Sequence, residues 1–145
     1  MLRGVYPERA PASRRTRNNI IFIINDNWQS GYFSSIRCGL AGMSSGAILL
    51  PLDTVGVPHE VIREICDKGI KSGMNVIPTH DGKGGHPVFL RPELVKNILA
   101  AQLSSRLDHL LQADKETLKL PVSSKNVLNN INTPDEWAKW ISNIS

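Results

Sequence analysis

The chain has 145 residues, 41% hydrophobic and 21% charged, which is enough for one domain with a real core and excludes disorder throughout. Its longest apolar run, Ala47 to Leu52, is far too short to span a bilayer, and no charged n-region, apolar h-region and cleavage site stand in series at the start. The net charge of +4 belongs to residues 1–18, where Arg3, Arg9, Arg14, Arg15 and Arg17 meet one acid, Glu8; the remaining 12 basic and 12 acidic residues cancel.

Residues 1–18 hold Pro7 and Pro11 and show no apolar periodicity, so they read as a basic, poorly ordered tail ahead of a domain over 19–145. "NIIFIIND" (19–26) is an unbroken β-branched and aromatic run and predicts a strand buried on both faces. After a loop hinged at Gly31, residues 34–43 predict a short helix with Ser34 as its N-cap and Gly42 as its stop. "GAILLPLD" (46–53) predicts a second buried strand that closes on an acid. Pro58 then suits a first helical turn, and Val61, Ile62, Ile65, Cys66 and Ile70 recur at helical spacing. Residues 74–79 predict a third strand, followed by the glycine-rich loop "DGKGGHP" and an apolar "VFL". Arg91-Pro92-Glu93 opens a helix to about Leu103, "SSRLDHLLQ" adds a short one, and 117–122 alternates as a strand. Thr133, Pro134 and Glu136 form a capping box for a last helix, with Trp137, Trp140, Ile141 and Ile144 on one face.

Strands alternating with helices predict an α/β/α sandwich around a mostly parallel sheet. Ligands of such sheets bind beyond the carboxyl ends of the strands, and Asn25–Ser35, Asp53 and Asp81–His86 fall at that edge. Cys38 and Cys66 lie in helix-like patterns with no CxxC spacing. They read as buried free thiols, which fits a cytoplasmic setting.

Several residues invite chemistry. Asp53 emerges from a buried strand where one carboxylate can hold Mg²⁺ against substrate phosphates; it suits a turn cap equally well. Asn130 and Asn132 place two amide oxygens on one side of an extended segment and are hard-cation donors, although turn and cap roles also suit Asn. The glycines of residues 82–85 let backbone N–H groups approach an anion, with Lys83 adding charge, but neither GxxxxGK[ST] nor GxGxxG is present. His86 is either a substrate hydrogen-bonding or proton-transfer group or a structural residue before proline. Histidines and cysteines lack zinc spacing apart from His80 and His86, and no GxSxG elbow marks a serine hydrolase. The tail arginines would give salt-sensitive, sequence-independent contacts with nucleic acid. The neutral body and the lack of interleaved aromatics argue against that use.

Taken in order, the motifs resemble one family. "NDNWQSGYFSSIRCGL" is similar to N-x-x-W-x-x-G-x-x-S-S-[IL]-x-x-G-L of the MobA-like NTP transferases, which include molybdenum cofactor cytidylyl- and guanylyltransferases. "ILLPLD" resembles their strand ending in a metal-binding Asp, and "GKGGHPVFL" their G-x-x-G-H-P-V-L-F segment. "RLDHLL" resembles an L-R-D helix, and "NINTPDEW" the [DN]-[IV]-[DN]-T-P-E-[DE] close. The resemblance covers about residues 19–140. It implies the nucleotide-diphospho-sugar transferase fold, with Asp53 holding Mg²⁺ and Asn130 or Asn132 assisting. It sets Ser34, Ser35 and Arg37 near the nucleotide groove, and Gly85, His86 and Pro87 on the acceptor side. The implied reaction transfers a nucleotidyl group from CTP or GTP to a phosphate acceptor such as molybdopterin. Nothing here matches the family's L-A-[AG]-G-x-S-x-R-x-G-x-x-K loop, so the resemblance implies an N-terminally truncated domain with an exposed sheet edge. The alternative it leaves is an inactive homologue that dimerises or binds a partner through that edge.

Overall fold

The computed structural model of the chain describes residues 14–15 and 21–143. Its strands are β1 (Arg14–Arg15), β2 (Ile21–Phe22), β3 (Ala47–Leu49), β4 (Asn75–His80), β5 (Lys83–Gly84), β6 (Val88–Leu90) and β7 (Thr117–Pro121). Its helices are α1 (Tyr32–Leu40), α2 (His59–Ser72), α3 (Pro92–Ala100), α4 (Leu107–Ala113) and α5 (Pro134–Ser142), with 3₁₀ turns at Trp28–Ser30 and Lys125–Leu128.

β4 is the axis of the main sheet. It pairs in parallel with β7, from Asn75 opposite Thr117 to Thr79 opposite Pro121. Val76 and Thr79 also pair with Phe89 of β6 and Gly84 of β5, so those strands must share the other edge of β4. β3 lies beyond β6, antiparallel to it, and is an edge strand among the described residues. β3, β4 and β7 therefore point the same way, as the alternating elements predict. The reversed β6 sits between β3 and β4, however, so the sheet is mixed and, among the described residues, only one of its ladders is parallel. The reason is connection length: a parallel crossover needs a dozen or more residues. β4 turns back through Asp81-Gly82, both at positive φ (49° and 76°), which is the turn that a two-residue Asp-Gly hairpin demands.

Helices cover both faces, in keeping with the predicted three layers. Val88 and Leu90 of β6 join Ala47 on one side, under Phe33, Ile36 and Leu40 of α1, Leu94, Val95 and Ile98 of α3, and Leu111 of α4. Phe89 points the other way and joins Val76, Val61 and Ile65 of α2, and Val127. A full side-chain burial of this kind stabilises by roughly 1.5–3 kcal/mol. Gly69 brings α2 onto the sheet, since a Cβ there would stand 2.2 Å from the Phe89 ring.

Where β4 begins, a polar cluster is buried and closed. Asn75 is 0% exposed; its Nδ2 donates to Asp114 Oδ2 and to Thr117 Oγ1, each at 3.1 Å, and its Oδ1 accepts from the Arg91 backbone N–H at 2.9 Å. Arg91 Nε and Nη2 donate to Asp114 at 3.1 and 3.2 Å, and the Glu116 N–H donates to the same carboxylate at 3.0 Å. The cluster ties the starts of β4, α3 and β7 together. Burial raises the Asp114 pKa, but the hydrogen bonds from Arg91, Glu116 and Asn75 outweigh it and hold the carboxyl below its ordinary value.

Other expectations need correction. The run at 19–26 is not a strand buried on both faces. Ile21 and Phe22 form β2, pair among the described residues only with β1, and are 48% and 63% exposed; Asn19 and Ile20 lie outside the described residues. An apolar run is buried only where something covers it, and no helix does so here among the described residues. The strand at 46–53 shortens to β3, because Pro51 has no N–H and the chain turns at Leu52-Asp53. Pro58 caps α2 rather than entering it. The buried face of α2 is Val61, Ile65 and Gly69, leaving Ile70 71% exposed and Ile62 and Cys66 half-buried. Cys38 is also half-buried, and both thiols are free. α3 stops at Ala100, short of Leu103. α5 has its capping box as predicted, but Trp137 and Ile141 are exposed and Ile144 lies outside the described residues. Beyond the β1 backbone, the basic segment also lies outside them.

Candidate active site

The carboxyl ends of β3, β4 and β7 and the start of the reversed β6 meet at one edge, so the polar features predicted there do converge. The chain leaves β3, turns, and brings Thr54 into an isolated antiparallel bridge with Asn130. Asp53 is thereby fixed through its backbone, its carbonyl accepting from the Ile131 N–H at 2.9 Å. Thr54 is buried, and its Oγ1 donates to Asn130 Oδ1 at 3.4 Å. Two segments 76 residues apart are thus locked side by side; Asp53 is half-buried and Asn130 is exposed. No hydrogen bond engages the Asp53 carboxylate among the described residues.

The second wall is the β5–β6 segment. Gly85 is buried against the 3₁₀ turn at 125–128, where a Cβ would stand 2.2 Å from the Val127 carbonyl oxygen. The Gly85 N–H donates to the Pro78 carbonyl, and the His86 N–H to the Val127 carbonyl, each at 2.8 Å. These two amides are spent inside the protein, so Gly85 and His86 pack the turn instead of offering N–H groups to an anion. Buried Pro87 follows through a cis peptide bond. The arrangement seats His86 with Nδ1 buried and without a hydrogen-bond partner. Burial lowers the His86 pKa; the nearby Asp53 carboxylate and Leu49 carbonyl oppose this but do not overcome it, so the ring is neutral at pH 7.

The third wall is the start of α1. Gly31, at φ 92°, is its N-cap, not Ser34. Ser34 lies one turn in and is buried; its hydroxyl donates to the carbonyls of Gly31 (2.7 Å) and Asn27 (3.0 Å). Asn25 Nδ2 donates to the hydroxyl oxygens of Ser34 and Ser35, each at 2.9 Å. Arg37 Nη2 donates to the Leu99 carbonyl at 2.9 Å, at the end of α3. All three predicted groove residues thus brace the loop and helix. Tyr32, which sequence reasoning passed over, is the outward-facing residue here. Burial first, and then the Asp53 charge, raise its phenol pKa. Its one sequence signal is position, directly after the hinge glycine and at the start of an amphipathic helix.

Between the second and third walls lies a pocket of about 620 Å³. Ser30–Phe33, Ile77, Gly84–His86 and Val88 line it, and the far side is residues 103–108 with Leu111. Asp53, Asn130 and Asn132 do not line it, although Asp53 is near enough to Tyr32 and His86 for its charge to act on both. Asn132 is exposed, and its backbone N–H is taken by Glu136 Oε2 at 2.7 Å.

The residue types suit a hard cation such as Mg²⁺ held jointly with phosphate: one carboxylate, free of hydrogen bonds among the described residues, and amide oxygens on the segment bridged to its own. Among the described residues no three His, Cys, Asp or Glu side chains come together, so much of the affinity at such a site would come from the phosphates. Among the same residues, no helix is long and apolar enough to cross a membrane.

A model of the MobA-like NTP transferase domain matches residues 5–119. The chain belongs to this family. The match begins inside the segment read as a tail and ends before Asn130 and Asn132. Two solved structures are similar to the chain in fold. One is Rv0371c from Mycobacterium tuberculosis H37Rv, at 18% identity and a TM-score of 0.62, covering 74% of this chain and 58% of that one. The other is the molybdopterin-guanine dinucleotide biosynthesis protein A from Archaeoglobus fulgidus, at 21% identity and a TM-score of 0.62, covering 79% and 64%. The chain thus spans less than two thirds of either structure. No curated protein matches it.

Proposed function

We propose that this MobA-like domain is a cytoplasmic nucleotidyltransferase that moves a nucleotidyl group from CTP or GTP to a phosphate-bearing acceptor such as molybdopterin, with Mg²⁺. The observation that supports this reading is the Thr54–Asn130 bridge, which with the Asp53–Ile131 backbone hydrogen bond joins the Asp53 and Asn130 segments near a 620 Å³ pocket whose Tyr32 and His86 feel the Asp53 charge. Asp53, with the side-chain oxygens of Asn130 and Asn132, would hold Mg²⁺, which supplies charge neutralisation to the NTP phosphates. Gly85, His86 and Pro87 shape the acceptor side. Ser34, Ser35 and Arg37 keep the α1 wall in place. An acceptor phosphate oxygen attacks the α-phosphorus, the bond to the β-phosphate oxygen breaks, and pyrophosphate leaves. The chain's own contribution is alignment of the two phosphates, with neutral His86 as a hydrogen-bonding group at the acceptor.

The test is pyrophosphate release by the full chain with Mg²⁺, molybdopterin and CTP or GTP in turn. Release with one nucleotide, lost in Asp53→Asn, is expected. No release with either, beside a working family member, would sink catalysis.

A second reading, a dimerising or partner-binding module, is favoured by the β3 edge. Ile48 and Leu50 are exposed there, and Leu52 is 100% exposed. Light scattering after size exclusion decides it: a monomer at all concentrations removes self-association.

A further inference from the structure

Tyr32 is presented rather than packed. It is the first residue of α1 and is 58% exposed, whereas Phe33 and Ser34 beside it are buried. Its backbone is braced. Gly31 supplies the turn at φ 92°, the Ser34 hydroxyl donates to the Gly31 carbonyl at 2.7 Å, and Asn25 donates to Ser34 and Ser35 at 2.9 Å. No hydrogen bond engages the phenol among the described residues. An exposed tyrosine on a rigid mount suits ligand contact, because its ring costs little entropy to hold and its hydroxyl can donate.

Its surroundings narrow the role. Tyr32 and His86 both line the pocket and both lie in the field of Asp53, which does not line it. Much of the wall is apolar, including Phe33, Ile77, Val88 and Leu111. Arg106 on the far side is tied to Asp108 by two hydrogen bonds of 3.0 and 2.8 Å, so that side presents no net charge to a phosphate. With a cation such as Mg²⁺ held at Asp53, a ligand with a flat uncharged ring and a phosphorylated end would leave the ring in this pocket and turn the phosphate toward that cation, passing Tyr32.

We propose that Tyr32 is a substrate-positioning residue: its ring borders the heteroaromatic body of the acceptor, and its hydroxyl donates a hydrogen bond to the acceptor's phosphate end. The assignment rests on the transferase reading for the identity of the acceptor, but its test does not depend on turnover. The probes are a fluorescent 6-substituted pterin carrying a phosphate monoester and the same pterin without the phosphate. Binding to the full chain with Mg²⁺ is followed by anisotropy.

Tyr32→Phe is expected to weaken the phosphorylated pterin roughly five- to tenfold, the worth of one hydrogen bond, and to leave the unphosphorylated one unchanged. Tyr32→Ala is expected to weaken both by at least about tenfold. Thermal midpoints and affinity for CTP or GTP should stay at wild-type values in both variants. Wild-type affinity for both pterins in Tyr32→Ala overturns the proposal, as does failure of the wild type to bind either pterin. A fall in thermal midpoint with equal weakening of pterin and nucleotide also overturns it, since that marks a structural role. If the wild type binds pterin, the variants lose it as expected, and no nucleotide releases pyrophosphate, then the transferase reading fails and the Tyr32 contact stands.

Discussion

Where β4 and β7 begin, Asn75, Arg91 and Asp114 bind one another so fully that a wholly buried amide has every side-chain group engaged. Where β3 and β4 finish, Asp53 has a carboxylate with no hydrogen bond among the described residues, and His86 has a buried, unpaired Nδ1. Asn75 is wholly buried, whereas Asp53 and His86 are half-buried. The ends also differ in what those groups are paired with. A closed cluster spends its polar groups on the fold. An open one keeps them for something that arrives later, and the fold must hold it in place from behind. At the open end that support is backbone: the Asp53–Ile131 and His86–Val127 hydrogen bonds and the contact of Gly85 with Val127.

The contrast breaks most sharply at Asn75. Asn75→Ala removes three hydrogen bonds and leaves Asp114 and the Arg91 N–H underpaired, for a cost of about 4 kcal/mol. Urea unfolding measures it, and a loss below about 1 kcal/mol would show that the cluster is not what holds this end. Gly85→Ala should come next. Its Cβ meets backbone rather than a flexible side chain, so about 2–3 kcal/mol is expected, together with weaker acceptor binding because His86 must move. Retained stability with unchanged binding would contradict the packing role.

Asp53→Asn should invert that pattern. Stability should stay within about 0.5 kcal/mol, while nucleotidyl transfer falls about 100-fold or more, some 2.7 kcal/mol in barrier. A large stability loss with activity retained would make Asp53 a structural cap after all.

The smallest effect is a pH dependence. The folded His86 pKa lies below 6.5, so between those values the unfolded chain binds more protons. The neutral ring's contribution is therefore present above pH 6.5 and lost as pH falls through the folded value. Asp114 also has a lowered pKa, and its contribution is present above pH 3.8 and lost at lower pH through its own folded value. Stability measured at pH 7 and pH 5 should change less in His86→Gln than in the wild type, by under about 1 kcal/mol. Identical changes in the two proteins would remove His86 from the pH response.

Much of this was legible in the chain. Helical spacing located α2, α3 and α5, with Pro92 and Pro134 at first turns and a capping box at Thr133 and Glu136. The dipeptide Asp81-Gly82 carried the hairpin signal, but reading "DGKGGHP" as a loose loop hid the reversal it causes and hence the antiparallel β6. Asp53 was legible as an acid at a strand end. Its neighbour Asn130 came from alternation within one segment, not from any view of the bridge. Tyr32 had no local signal strong enough to separate it from the core-facing residues beside it.

The sequence alone determined that helices form at α2, α3, α4 and α5 and strands at β4 and β7, because periodicity, caps and turn residues act within a few positions. It also determined which oxygen donors exist to meet a hard cation. Only the tertiary structure decided that β6 inserts between β3 and β4, that the apolar run after Ile20 stays largely uncovered, and that Asn130 lies beside Asp53. Those outcomes depend on which surfaces meet across many residues, and neither burial nor proximity is a property of a segment by itself.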